Sequence, residues 1–276
     1  MRRLDELAFF GIIHGMFSLI ATSLIAPVFF EFAPEVRSAY QSLGKIIEDH
    51  PMQVTFARVG VDTGTFGKFG IRNWDVSSLS DRRADIHRHA LYHTELGVSW
   101  QYDLELPWNW RLKTDLAIAS WTFYRGFEDA DSNKDYRWHQ IDQSLENPYI
   151  VPFYRLRRCV EGSDYLYFKA GFRRRFNFFE DYYLTPSVYV EGGNSRNHRR
   201  VLGKNVTGDD WGYGGVSSIN FRLEGGWRIC GNVTAFVFVD QYEIVGSDAR
   251  DSIAASTNKC VHNDLTIAGI GFRMNF

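Results

Sequence analysis

The sequence predicts an all-β chain, a transmembrane up-and-down antiparallel β-barrel of ten strands, with eight as the alternative count and a short N-terminal helix before it. Three observations predict it. Apolar and polar residues alternate with a period of two from Met52 to the end of the chain. Aromatic residues gather at the ends of the alternating segments, where a membrane strand meets the interface. Connections alternate between short and long, as they do when turns face one side of a membrane and loops face the other.

Composition agrees with this class and excludes others. The chain has 276 residues and a net charge of −2, so no bulk basic charge points to nucleic acid. Hydrophobic residues make up 45%, and mean hydropathy is −0.28, low for a bundle of membrane helices. A barrel has this balance because only every second side chain meets lipid. Aromatic residues reach 16%, and 7 prolines with no low-complexity tract argue against disorder.

Residues 1–33 read as an apolar leader, a signal peptide. Arg2 and Arg3 precede an apolar run from Leu7 to Phe30, with small residues at Ala21, Ser23 and Ala26. The run is also long enough for an uncleaved membrane anchor, and Met16 is an alternative start. Residues 34–51 read as a short amphipathic helix on the periplasmic side. Pro34 suits its first turn, Val36, Tyr40, Leu43, Ile46 and Ile47 form one stripe, and Pro51 ends it. Residues 52–276 form the barrel.

Within the barrel, alternation assigns faces. Leu96, Val98, Trp100 and Tyr102 take the lipid side, as do Leu112, Leu116 and Ile118. Further on, Leu166, Phe168, Ala170 and Phe172 do the same, then Leu184, Val188 and Val190, then Ile219, Phe221 and Leu223. Short turns follow Leu104, Phe176 and Gly225, and long connections follow Arg72, Tyr124, Gly192 and Glu243. Reading Arg125–Ser163 as one loop gives eight strands. Splitting it into a hairpin around Glu146-Asn147-Pro148 gives ten.

The last strand is the most specific segment. Phe276, Met274, Phe272, Ile270 and Ala268 share one face, against Asn275, Arg273, Gly271 and Gly269. A strand that ends on an aromatic in this way resembles the assembly signal of bacterial outer-membrane β-barrel proteins of the porin-like class. The resemblance implies an outer-membrane location and Phe276, Met274 and Phe272 as the assembly signal. It implies as partners the barrel assembly machinery, outer-membrane lipid and lipopolysaccharide, with no nucleic acid.

The inward list is charged: Arg58, Asp62, Glu95, Asp103, Arg111, Lys113, Asp115, Lys169, Arg173, Arg222, Glu224 and Arg273. Charges in a narrow lumen must pair or stay hydrated. They form either a salt-bridge network that fills the barrel or a weakly basic channel for small polar or anionic solutes. A second constellation, His87, His89, His93 and Glu95, points inward near the outer rim if Val98 faces lipid. His89, His93 and Glu95 are weak catalytic candidates, with Ser120 or Ser217 as a nucleophile. Basic loop residues at Asp81–Arg83 and Asn194–Arg200 can meet lipopolysaccharide phosphates. No metal spacing or cofactor motif is present. Of Cys159, Cys230 and Cys260, the first and last share the outer side and can pair, while Cys230 lies at a periplasmic turn.

The expected function is a narrow passive pore or a structural membrane element. An outer-membrane hydrolase with a His/Glu rim site and a surface adhesin or structural protein acting through its loops are the alternatives.

Overall fold

The structure, a computed structural model, describes residues 26–42, 45–79, 92–125, 136–161, 164–202, 214–247, 250–251 and 262–276. Its strands are β1 (Val28–Arg37), β2 (Tyr40–Ser42), β3 (Lys45–Glu48), β4 (Met52–Asp62), β5 (Lys68–Ser78), β6 (Tyr92–Leu106), β7 (Trp110–Arg125) and β8 (Tyr136–Glu146). They continue as β9 (Val151–Cys159), β10 (Leu166–Arg173), β11 (Phe176–Phe178), β12 (Tyr182–Gly193), β13 (Gly215–Cys230), β14 (Val233–Ile244) and β15 (Asp264–Asn275). Among the described residues one α-helix, α1, spans Ser195–Leu202.

All barrel pairings are antiparallel between neighbours in sequence, and β15 pairs with β1 to close the ring. Twelve described strands make the barrel; β2 and β3 form a separate hairpin, and β11 only extends the edge of β12. The expected count of ten, or eight, is therefore too low.

Two features account for the difference. The turn Thr63–Gly67 divides the segment after Met52 into β4 and β5. Gly64 and Gly67 take φ of +64° and +85°, and Thr63 Oγ1 donates to Gly67 O at 2.6 Å. A Cβ at Gly67 would come within 2.1 Å of the Gln101 carbonyl, so the close approach itself requires glycine. The second feature is β1.

Among the described residues, the N-terminal helix expected over residues 34–51 is not found. Residues 28–37 are a barrel strand with period two: Val28, Phe30 and Val36 are exposed outward, and Glu31, Glu35 and Arg37 point inward. Residues 28–33, assigned to the leader from sequence, belong to this strand. The 3.6-residue stripe misled because Tyr40, Ile46 and Ile47 lie in a strand pair, not on one helix. Tertiary pairing on both edges, with β4 and β15, holds ten residues extended despite Pro34.

The lipid side follows from register. Exposed Val59, Ile71, Leu96, Val98, Ile118, Phe172, Val188, Leu223, Val239 and Ile270 form a continuous apolar band. Trp108, Trp227, Phe178, Phe179, Tyr182 and Phe276 rim it at the short-turn end. Outward polar residues Gln53, Asn73, Thr94, His139, Gln241 and Thr266 mark its other edge. A band of this kind, apolar and girdled, matches the roughly 25 Å hydrocarbon layer and would be untenable in water.

The closing seam uses the last residue. Phe276 N donates to Phe30 O at 2.8 Å, Phe30 N donates to Phe276 O at 2.9 Å, and the two rings stack at 6.5 Å.

Candidate functional site

The lumen divides into a packed outer half and an open inner half. Near the long-loop end, Tyr40 of the β2–β3 hairpin is buried against Met52, Val54 and Val76, which point inward from β4 and β5. Tyr40 OH lies 3.5 Å from His93 Nε2. Ala39 joins Trp138, Cys159, Tyr165, Tyr167, Phe236, Phe238, Tyr242, Ile244 and Ile267 in the main core. Gln41 reaches across the barrel: its Nε2 donates to Glu191 Oε2 on β12 at 2.7 Å and to Asn220 Oδ1 on β13 at 3.2 Å. Asp49, past the hairpin, meets His262 before β15 at 3.0 Å. The hairpin is thus an internal plug, fixed at three places.

Below it lies a buried charge layer. Glu95, 2% exposed, accepts from Arg72 at 2.8 Å and faces Arg157 at 3.6 Å. Arg157 stacks on Trp138, 3.1 Å from the ring centroid, and donates to Gln140 at 2.6 Å. Arg58 spans two strands to Asp115 at 2.6 Å, with Glu31 at 3.5 Å. Arg37 pairs with Glu35. Glu191 also receives Tyr167 OH at 2.9 Å and has Lys169 Nζ at 3.6 Å. Each charge buried here has a countercharge, as desolvation demands.

Toward the short turns the lumen opens into a vestibule of about 770 Å³. Seven cations line it: Lys113, Arg155, Lys169, Arg173, Arg175, Arg222 and Arg273. Five carboxylates face them: Asp103, Asp115, Asp142, Glu146 and Glu224. Arg155 holds Asp142 through two nitrogens at 2.6 and 3.0 Å. Arg273 holds Glu224 likewise at 2.7 and 2.9 Å. Arg173 donates to Glu146 at 2.6 Å and Arg222 to Glu224 at 3.0 Å.

All twelve charged residues named from sequence lie on inward positions. Asp62 faces Lys68 at 3.7 Å and Asp103 faces Arg111 at 3.7 Å, both pairs near the short-turn rim. Arg72, also read as inward from the sequence, is buried against Glu95. The sequence reading did not include Arg155, Arg157, Asp142 and Glu146. These four lie on the β8–β9 hairpin, whose alternation is blurred by Arg158 and Tyr154 on the outside.

His93 and Glu95 both point inward, but the hydrolase geometry is not assembled by the proposed serines. Ser120 lies on the outward face of β7, and Ser217 donates to the Glu191 carbonyl at 3.2 Å. His87, His89 and the Asp81–Arg83 segment lie outside the described residues. Among those described, no group of three His, Cys, Asp or Glu gathers as metal ligands. Cys159 is buried, its thiol donating to Glu161 O at 2.8 Å, and Cys230 sits at the opposite, short-turn end. Cys260 lies outside the described residues.

A closed, even-numbered antiparallel barrel with an apolar belt and a charged lumen is the fold of outer-membrane β-barrel proteins. The comparison with solved structures agrees. An outer-membrane channel from Pseudomonas putida F1 aligns with a TM-score of 0.56 at 10% identity, over 91% of this chain and 96% of that one. KdgM porin aligns at 0.47 and 11% identity, over 90% and 99%. Outer-membrane phospholipase A from Escherichia coli aligns at 0.43 and 13% identity, over 93% and 97%. At 10% identity the likeness to the Pseudomonas putida channel is one of fold. No protein-family model and no curated protein sequence matches the chain.

Proposed function

We propose that this chain is a porin-like channel of the bacterial outer membrane, narrow, and selective for small anionic or polar solutes. The vestibule carries the reading. A barrel that only braced a membrane would fill its lumen throughout, as the outer half here does. Instead about 770 Å³ stays open, lined by cations in excess of carboxylates. Charged walls around a constriction are how such pores select. The fold shared with an outer-membrane channel supports the same assignment. The 38–51 segment is the constriction, and its three contacts hold the channel narrow. Lipid, lipopolysaccharide and the barrel assembly machinery are its expected partners.

Purified protein in planar bilayers tests this. Wild type should conduct in small steps, with a reversal potential favouring chloride over potassium. Replacing residues 39–48 with a short Gly-Ser linker should enlarge the steps several-fold. Absence of any conductance in both proteins, each shown to be folded, would refute a channel.

A further inference from the structure

The outer wall of the barrel carries a second hollow, separate from the lumen. Strands β7 to β10 and β12 line an apolar groove of about 610 Å³ on the lipid side. Leu112 on β7 and Leu145 on β8, register partners, border it on one side. Val188 and Val190 on β12 border it on the other, paired with Phe172 and Ala170 on β10. Between them Pro152 and Ala170 present short side chains, so the wall is recessed there. The polar groups at this depth satisfy one another. Tyr154 OH donates to Gln143 Oε1, and Gln143 Nε2 donates to Thr114 Oγ1 at 3.0 Å.

Arg174 stands at the short-turn end of this groove. It follows Phe172 by two residues, so both side chains point outward, about 7 Å apart along the strand. Its backbone N–H donates to Pro186 O at 3.1 Å and continues the ladder past β10. Its guanidinium lies over the Phe176 ring at 4.8 Å from the centroid. Among the described residues it meets no carboxylate. The vestibule arginines Arg155, Arg173, Arg222 and Arg273 each meet one. An exposed guanidinium without a countercharge, among the aromatic residues that rim a lipid-facing wall, sits at the depth of headgroup phosphates.

We propose that this groove binds a phospholipid of the periplasmic leaflet, with one acyl chain along Leu145, Pro152, Ala170 and Phe172 and the phosphate on Arg174. The short turns of such barrels face the periplasm. That places the site in the phospholipid leaflet rather than against lipopolysaccharide. Charge complementarity selects the headgroup. A guanidinium offers a phosphate several N–H donors in a planar fork, and its charge favours a lipid of net negative charge. The recess gives an acyl chain contacts on three sides, where a convex wall would touch it on one. The proposal goes beyond the channel reading and does not depend on it, since the lipid lies outside the barrel.

Native mass spectrometry of the purified, delipidated full chain tests it, with dipalmitoyl phosphatidylglycerol and dipalmitoylglycerol as equimolar probes. One phosphatidylglycerol per barrel should be retained, about tenfold over dipalmitoylglycerol, which lacks the phosphate. Arg174→Gln should remove that preference. Ala170→Phe fills the recess with Arg174 still in place and should lower retention about tenfold. Val190→Trp closes the same recess from β12 and serves where heat-modifiable mobility shows Ala170→Phe to be unfolded. Arg137→Gln, on the outer rim, should retain lipid as wild type does. Equal retention of the two probes, or wild-type retention in the folded groove-filling variant, overturns the site. A two-chain species that forms without lipid and is lost on filling the groove also overturns it, in favour of a second copy. Conductance in bilayers without retention overturns the site and leaves the channel. Retention without conductance upholds the site and removes the channel.

Discussion

Replacing Glu95 with leucine should be among the most damaging single changes in the barrel. Its carboxylate is 2% exposed and serves two guanidinium groups, Arg72 at 2.8 Å and Arg157 at 3.6 Å, both themselves nearly buried. Leucine leaves two cations in the packed half of the lumen with Gln140 and the Trp138 ring as their remaining named support. Breaking a buried pair in this way costs about 3–5 kcal/mol. With a urea dependence of about 3 kcal/mol/M, the unfolding midpoint should fall by about 1 to 1.7 M. Tryptophan fluorescence of protein folded reversibly into lipid vesicles reads it directly. The triple variant Glu95→Leu, Arg72→Leu, Arg157→Leu should recover most of the loss, because the desolvation penalty leaves with the charges. An unchanged midpoint in the single variant would mean that water reaches the layer, and the division into a dry outer and a wet inner half would be wrong.

Other outcomes follow from the same geometry. Deleting Phe276 removes both backbone hydrogen bonds to Phe30 at the seam. It should lower the heat-modifiable, folded fraction in membranes while export continues; wild-type levels would refute its role in assembly. Leu223→Arg places a cation on the apolar band and should cost about 2–4 kcal/mol. Thr185→Arg enters the vestibule opposite Glu224 and should cost far less in the same urea titration; the reverse order would invert the facing of β12 and β13. His198 in α1 is buried, with Nε2 3.1 Å from the Gly215 carbonyl, and burial pushes its imidazole below the ordinary 6.5. A depressed histidine contributes stability above the unfolded pKa and loses it as pH falls below 6.5 toward the folded value. The protection factors of the α1 amides should therefore fall as pH drops from about 7 to about 5.5, a range that spans that value; flat protection would discard the coupling.

Much of the barrel was legible because lipid imposes a strict rule on alternate side chains. The outward runs at Leu96–Tyr102, Leu166–Phe172 and Ile219–Leu223 need no partner to be read. The strand β1 was illegible for the opposite reason. Its phenylalanines continue the apolar run of the leader, and its Pro34 suits a helix start as well as a strand. Only pairing with β4 and β15 decides between them. The vestibule was half legible. Alternation places charges on the inside, but which arginine meets which carboxylate depends on register between strands. That register cannot be read along a single one. The plug was invisible, since Gln41 acts through Glu191 and Asn220, far away in sequence.

The Phe30–Phe276 seam sets the order of events in folding. Every other hairpin contact in the ring joins segments close in sequence, while this one joins the two ends of the barrel. Loop closure over that span comes late and slowly. Until it happens, β1 and β15 each present an unpaired edge and an apolar face, a template for pairing with other chains. Closure is all-or-none: a chain that stops before β15 has no way to shorten the ring. The cell must therefore keep both edges apart from other strands until the final residue has arrived.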